Sequence, residues 1–347
     1  MNREQFQHIL VVRTDRIGDV ILSLPMITSL RAQFPSARIT MLLRAYTAEI
    51  AENFKGLDAI LLYDQEGRQK PYSTMLRELR AQRFDGVILA HPTFRLASLM
   101  FQAGIPRRVG TGYRLYSFLF NRKVLEHRKT AEKHEAEYNL SLLHALGCQS
   151  LQLVPPRIEI PAVLVQKMEH ARELNRISDP YIVLHPGSGG SAREWKAENF
   201  GALAQKLIQD SFTIVVTGIS VEELLVQKVV QMTEGKAISI VGSLSIKELG
   251  ALIQHAALFV SNSTGPLHLA AAVAVPVIAL YPPIRECSPT RWGPLTERKV
   301  IFEADNRLCK RCGGGECQGN DCMDQISVDQ VYAAAKSMIS KKTVSED

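Results

Sequence analysis

Apolar and polar positions alternate along this chain in two successive series. In the first, short apolar runs rich in β-branched residues predict strands over His8–Arg13, Arg38–Leu43, Ala59–Tyr63 and Gly86–Ala90. Between them, Asp19–Phe34 and Thr74–Gln82 carry helical spacing. Pro25 lies inside the first of these helices and predicts a kink or a restart there, because proline removes a backbone donor. Around Val154, Pro155 and Pro156 the pattern breaks, and a charged helix over Val163–Leu174 leads to Pro180. A second series then predicts strands over Tyr181–His185, Phe212–Thr217, Ala257–Ser261 and Val277–Tyr281. Its helices are Phe200–Gln209, Val221–Gln231, Ile246–His255 and Pro266–Val273, and a last helix covers Val328–Ile339. Strand and helix in alternation predict an α/β fold of parallel sheets with helices on both faces. The expected domains are 1–160, 175–325 and a C-terminal helix and tail over 326–347 that packs back on the first domain. Ligands are expected between the two large domains, at the carboxyl ends of the strands.

Composition narrows the class. The 347 residues are 46% hydrophobic and 22% charged, an ordinary globular balance. No apolar stretch is long enough for a membrane span, and Met1–His8 lacks the parts of a signal peptide, so a cytoplasmic location is expected. The net charge of +6 and pI of about 9.0 favour anionic partners such as phosphates, acidic sugars or a lipid surface. Nucleic acid is not expected, since no binding motif for it is present.

Three segments carry candidate chemistry. In Arg13–Val20 a strand ends, the chain turns at Gly18 and a helix begins at Asp19. Asp19 suits a general base that takes a proton from an attacking hydroxyl, and it equally suits a helix cap. Asp15 competes for the same role. In His185–Ser191 a strand feeds a Gly/Ser turn whose N–H groups, with Ser188, Gly189 and Ser191, suit phosphate, and Arg193 lies just beyond. In Ser261–His268 a strand feeds Ser263, Thr264 and Gly265, with Pro266 at a helix start, which makes a second anion-friendly turn. His268 sits in that helix's first turn. A diphosphate held by backbone dipoles at two such turns needs no divalent ion, and the sequence contains no Asp-x-Asp pair.

These blocks resemble glycosyltransferase family 9, the ADP-heptose:lipopolysaccharide heptosyltransferases. The resemblance rests on Arg13–Pro25, on His185-Pro-Gly-Ser-Gly with Trp195 downstream, on Ser261–Ala271, and on Gly104–Gly110 with Tyr113. It implies a GT-B fold, two Rossmann-like domains facing a cleft, with an N-terminal acceptor domain and a C-terminal donor domain. It implies that Asp19 is catalytic and that Ser188, Gly189, Arg193, Ser263, Thr264, Gly265 and His268 serve the donor. It places Glu222, with Glu223 as a rival, on the ribose. The implied partners are an ADP-sugar and the inner core of lipopolysaccharide, met by Arg16, Arg95 and Arg114 at the cytoplasmic face of the inner membrane. Arg107, Arg108, Arg122 and Lys123 read as a solvated basic face. Arg193 stands where relatives carry Lys, Lys196 where they carry Pro, and Ser263 where several carry Asp, which bears on donor preference.

Cys309, Cys312, Cys317 and Cys322 supply four thiols in one Gly-rich stretch. A structural zinc, disulfides or free thiols all fit, and none of these makes the cluster catalytic. No other cofactor is expected. A nicotinamide oxidoreductase is disfavoured because no G-x-G-x-x-G follows the first strand. A non-catalytic sugar-nucleotide binder and a GT-B transferase of another sugar are the remaining alternatives.

Overall fold

The computed structural model describes residues 5–305 and 322–344. The chain divides into two compact units, 1–158 and 159–347, each built on its own parallel sheet.

The first unit contains β1 (His8–Val12), β2 (Arg38–Leu43), β3 (Ala59–Leu62), the hairpin β4 (Asp64–Gln65) and β5 (Arg68–Gln69), β6 (Gly86–Leu89), β7 (Arg107–Thr111) and β8 (Arg122–Val124). Its helices are α1 (Ile17–Ile21), α2 (Leu24–Gln33), α3 (Ala45–Ala51), α4 (Tyr72–Gln82), α5 (Phe94–Gln102) and α6 (Glu135–His144). The main sheet runs β3-β2-β1-β6-β7-β8, parallel throughout. All five residues of β1 are buried, as expected of a central strand covered on both faces. The predicted helix over Asp19–Phe34 is two helices. It breaks at Leu22 and Ser23, and Pro25 stands in the first turn of α2, where its missing N–H costs nothing.

The second unit contains β9 (Tyr181–His185), β10 (Thr213–Gly218), β11 (Ile238–Val241), β12 (Leu258–Asn262), β13 (Val277–Tyr281) and β14 (Lys299–Glu303). Its helices are α7 (Ala162–Leu174), α8 (Ala197–Gln209), α9 (Glu223–Met232), α10 (Ile246–Gln254), α11 (Gly265–Ala272), α12 (Pro289–Trp292) and α13 (Val328–Val344). The sheet order is β11-β10-β9-β12-β13-β14, again all parallel. The pleat sorts each central strand between two cores. Ile182, Leu184, Leu258, Val260, Ile278 and Leu280 enter one core, packed with α8 and α13. Tyr181, Val183, Phe259, Val277 and Ala279 enter the other, packed with α7, α10 and α11.

Two expectations about chain organisation change. The charged helix α7, outside both expected domains, belongs to the second unit, where Met168 is buried with Leu252 and Ile253. The C-terminal helix, expected to return to the first domain, instead completes the second unit's core. Val331 and Ala335 of α13 are fully buried with Leu203 and Leu207 of α8, and Tyr332 Oη donates to Asp210 Oδ2 at 2.6 Å. The apolar stripe was legible, but the face that needed it was not. The short strands β7, β8, β11 and β14 were not expected. Arg107-Arg108, Arg122-Lys123 and Lys299 break the apolar runs of β7, β8 and β14, and β8, β11 and β14 are sheet edges, solvated on one side.

Trp195 tests this closure. Its side chain is fully buried, and Nε1 donates to Ile326 O at 2.8 Å, tying the start of α8 to the approach to α13. Trp195→Phe leaves that carbonyl without its donor and is expected to lower stability by about 1–3 kcal/mol. Denaturant unfolding of the variant reads this, and wild-type stability would show that the contact contributes nothing.

Candidate active site

In each sheet the strand order reverses at one point, between β1 and β6 in the first unit and between β9 and β12 in the second. Turns leaving the carboxyl ends of those neighbouring strands diverge, and ligands of open α/β sheets bind there.

In the first unit this point is organised by Arg13, the residue after β1, whose side chain is 3% exposed. Its Nε donates to Asp15 Oδ1 at 2.8 Å, and one terminal nitrogen donates to Glu135 Oε1 at 3.2 Å and Asn139 Oδ1 at 3.1 Å. The other terminal nitrogen donates to Asp19 Oδ1. Burial alone would pull the guanidinium pKa down, but Asp15, Asp19 and Glu135 outweigh it and push it up. Asp19 moves up from the ordinary carboxylate value. Burial is the largest cause, Arg13 opposes it, and Asp15 and Glu135 add to it. Asp19 is not a cap: α1 begins two residues earlier, and its cap residue is Arg16, which makes no side-chain cap bond. The carboxylate is instead held toward the strand end by Arg13, and 15% of the side chain meets solvent.

Glu135, Asn139, Arg128 and His91 were missed from sequence. Glu135 and Asn139 lie one turn apart on α6, so both face the same way. Both accept from Arg128 as well as Arg13. Asn139 Nδ2 donates to Leu22 O at 3.1 Å and Ser23 Oγ at 3.2 Å, which satisfies a carbonyl left over where α1 ends. Two polar residues on an otherwise apolar helix face, and an arginine ending an apolar strand, were the available signals. His91 follows β6, with Nδ1 buried, unbonded and 3.9 Å from Asp15 Oδ2.

The residues expected to meet an acceptor separate. Arg16 and Arg114 are exposed. Arg95 is engaged within the unit: Nε donates to Tyr63 Oη at 3.0 Å, a terminal nitrogen donates to Lys70 O at 2.5 Å, and the guanidinium lies over Tyr72.

In the second unit Asn262, fully buried at the end of β12, joins the two predicted turns. Its Nδ2 donates to Pro186 O at 2.6 Å, and its Oδ1 accepts from Trp195 N–H at 2.8 Å. Ser191 Oγ lies 3.0 Å from Ser263 O and so bridges the same gap. Thr264 stands extended before α11 without a side-chain cap bond, and Gly265 opens the helix. His268 is buried in the first turn of α11.

The Gly/Ser turn differs from expectation. Ser188 N–H donates to Glu194 Oε1 at 2.7 Å and Gly189 N–H to Glu222 Oε1 at 3.0 Å, so the chain's own carboxylates occupy amides expected to face a phosphate. Ser188 Oγ donates to Ala192 O at 3.1 Å. Glu222 Oε2 also accepts from Ile219 N–H at 3.0 Å, which ties the β10–α9 junction to the turn, whereas the rival Glu223 is exposed. Gly187 permits this approach: any Cβ there would strike the Glu222 carboxylate. His185, beneath the turn, bonds Thr217 Oγ1 at 2.9 Å, and burial lowers its pKa to about 4, so it is neutral at pH 7. Arg193 is half-buried beside the turn. Cys309, Cys312 and Cys317 lie outside the described residues, while Cys322 is buried in the core with Met323 and Ile326.

Two doubly wound parallel sheets, each with polar turns at its reversal point, define the GT-B class of glycosyltransferases. The chain belongs to glycosyltransferase family 9 (heptosyltransferase), whose profile matches residues 73–322. It is 28% identical over 338 residues to a putative glycosyltransferase of Haemophilus influenzae, covering 94% of this chain and 95% of that one. It is 26% identical over 339 residues to lipopolysaccharide heptosyltransferase 3 of Escherichia coli, covering 95% and 97%. A crystal structure of a family 9 glycosyl transferase from Veillonella parvula superposes with a TM-score of 0.84 at 25% identity, covering 98% and 99%. The protein is thus a glycosyltransferase, which removes the oxidoreductase alternative. Among the described residues no helix is long and apolar enough to cross a membrane.

The brace on the turn is testable as a coupled pair. Gly187→Ala drives a methyl into Glu222 and is expected to lower the melting temperature. Glu222→Ala removes the obstacle, so the double variant should lose less than the two single losses combined, by about 0.5–3 kcal/mol. Strict additivity would mean that the two residues do not meet.

Proposed function

We propose that the protein transfers a heptose from ADP-heptose to the inner core of lipopolysaccharide, with inversion at the anomeric carbon. The observation that carries this reading is the pair of tied turns in the second unit, where Thr264 and the Gly265 N–H open α11 beside the Gly187–Ser191 turn. A helix start with an unused threonine hydroxyl suits a phosphate. Family membership and the likeness to a lipopolysaccharide heptosyltransferase support heptose as the sugar. A diphosphate entering the turn competes with Glu194 and Glu222 for the Ser188 and Gly189 amides, and Glu222, once released, is placed to accept from ribose hydroxyls. Arg193 adds positive charge. A different sugar nucleotide on the same fold is the second reading, favoured by Ser263 and by Glu194 on the turn. A donor panel scored by nucleotide release with core acceptors separates the two.

In the proposed reaction an acceptor hydroxyl attacks the anomeric carbon as the bond to the diphosphate oxygen breaks. The electron pair leaves with ADP, and Asp19 takes the hydroxyl proton. Burial makes Asp19 more basic than an ordinary carboxylate, while the Arg13 guanidinium opposes that rise and favours the ionised form. Arg16 and Arg114, both exposed, are assigned to the acceptor's carboxylates and phosphates. That acceptor is carried on a membrane lipid, so the protein works peripherally at the cytoplasmic face of the inner membrane.

Donor binding is expected to be independent of metal. Titration calorimetry with ADP should give the same affinity with and without EDTA, and loss of binding on chelation would refute the claim. Cys309, Cys312, Cys317 and Cys322 are assigned to stabilising the C-terminal segment. If they hold zinc, EDTA lowers the melting temperature and leaves ADP affinity intact.

Asp19→Asn is expected to lower turnover by about 10²–10⁴-fold, the usual range for a lost general base. Asp15→Asn should have a much smaller effect. In the wild type, activity falls as pH drops through the Asp19 pKa, and this limb lies above the pH of an ordinary aspartate. A raised folded-state pKa favours the neutral form, so that contribution to stability is lost as pH rises through it. Asn keeps the size of Asp19 and an oxygen that can accept from Arg13, so Asp19→Asn is expected to fold. Near-normal turnover of Asp19→Asn, or an inactive Asp15→Asn, would overturn the assignment.

A further inference from the structure

We propose that the loop after β7, together with β8 and the residues following it, forms a docking surface for an anionic lipid bilayer. The proposal rests on the reading above that the acceptor is lipid-borne, and it adds which part of the chain meets the membrane. Four large apolar side chains of this segment face water: Leu115 at 101% exposure, Phe118 at 72%, Leu125 at 68% and Tyr113 at 46%. Single exposed apolar residues are ordinary, but a cluster marks an interaction surface. Tyr113 and Leu125 are held close together. Tyr113 stacks on His127 with ring centroids 3.8 Å apart, and Leu125 lies over Gly112, where a Cβ would strike it. Gly112 N–H donates to Val124 O at 3.0 Å. The turn is braced as well: Ser117 Oγ donates to Thr111 O at 2.7 Å and accepts from Arg114 N–H at 3.0 Å. Leu115 and Phe118 are thus presented outward on a fixed turn.

Charge selects the occupant. Exposure alternates along β8 and just after it, which puts Lys123 and Leu125 on one outward face, and Lys129 beyond them is exposed as well. Residues 112–133 hold six Lys and Arg against two Glu. Apolar side chains among lysines suit an anionic bilayer, where the former enter the headgroup–acyl boundary and the latter meet lipid phosphates. A second copy of the chain would bring like charge against like.

Cosedimentation of the full chain with vesicles tests the proposal. Binding to phosphatidylglycerol-containing vesicles is expected, weakening with salt, and binding to phosphatidylcholine vesicles should be much weaker. Leu115→Ser with Phe118→Ser should reduce partitioning at least ~10-fold. Turnover on a water-soluble core oligosaccharide lacking acyl chains should be unchanged in that variant. Lys123→Gln with Lys129→Gln should reduce partitioning by about five-fold per lysine and flatten the salt dependence. Equal binding to both vesicle types, or wild-type binding by the Leu115/Phe118 variant, overturns the proposal. So does concentration-dependent self-association that this variant abolishes, which would assign the surface to a second copy. Vesicle binding without turnover on any core acceptor would instead refute the proposed reaction and leave the docking surface standing.

Discussion

Arg13 carries a positive charge at the end of an apolar strand, where only 3% of its side chain meets water. A buried charge costs several kcal/mol unless it is paired and hydrogen-bonded. The first unit meets that demand from three directions: Asp15 in the same turn, Asp19 on α1, and Glu135 with Asn139 on α6. The same contacts fix where α1 starts, why it stops and which face of α6 turns inward. The carboxylate assigned to proton abstraction is therefore positioned by the interaction that keeps Arg13 tolerable inside the fold. Its raised basicity follows from the same burial.

The second unit has an uncharged counterpart in Asn262. Both ends of its amide are used, one on Pro186 and one on Trp195, so the two turns at the reversal of the sheet cannot separate without leaving buried polar groups unsatisfied. Trp195 carries the constraint onward to the approach of α13. Turn, sheet and C-terminal helix thus form one connected polar path through an apolar core. Glu194 and Glu222 show that the turn attracts anions, since carboxylates of the chain already lie on its amides.

Strand and helix order, the restart at Pro25 and the placement of Asp19, Thr264 and Gly265 at strand ends were legible in the sequence. Each follows from local chemistry: period-two burial, proline's missing donor and the preference of helix starts for Ser, Thr and Pro. The family resemblance was legible for a related reason, because turns at strand ends keep residue types that backbone geometry demands.

Contacts between residues far apart in the chain were decided by the tertiary structure alone. Glu135 lies 122 positions from Arg13, and nothing local to α6 says which charge it serves. Asp19 reads as a helix cap until Arg13 is seen to hold its carboxylate, and the Ser188 amide reads as free until Glu194 folds back on it. Arg95 reads as an acceptor contact until Tyr63 and Tyr72 are seen to engage it. The apolar stripe of α13 announces burial but not against which sheet. Period and turn chemistry are properties of neighbours along the chain, and they set the elements. Partners for buried charge and for apolar faces are chosen among residues brought together by packing, and only the folded chain assigns them.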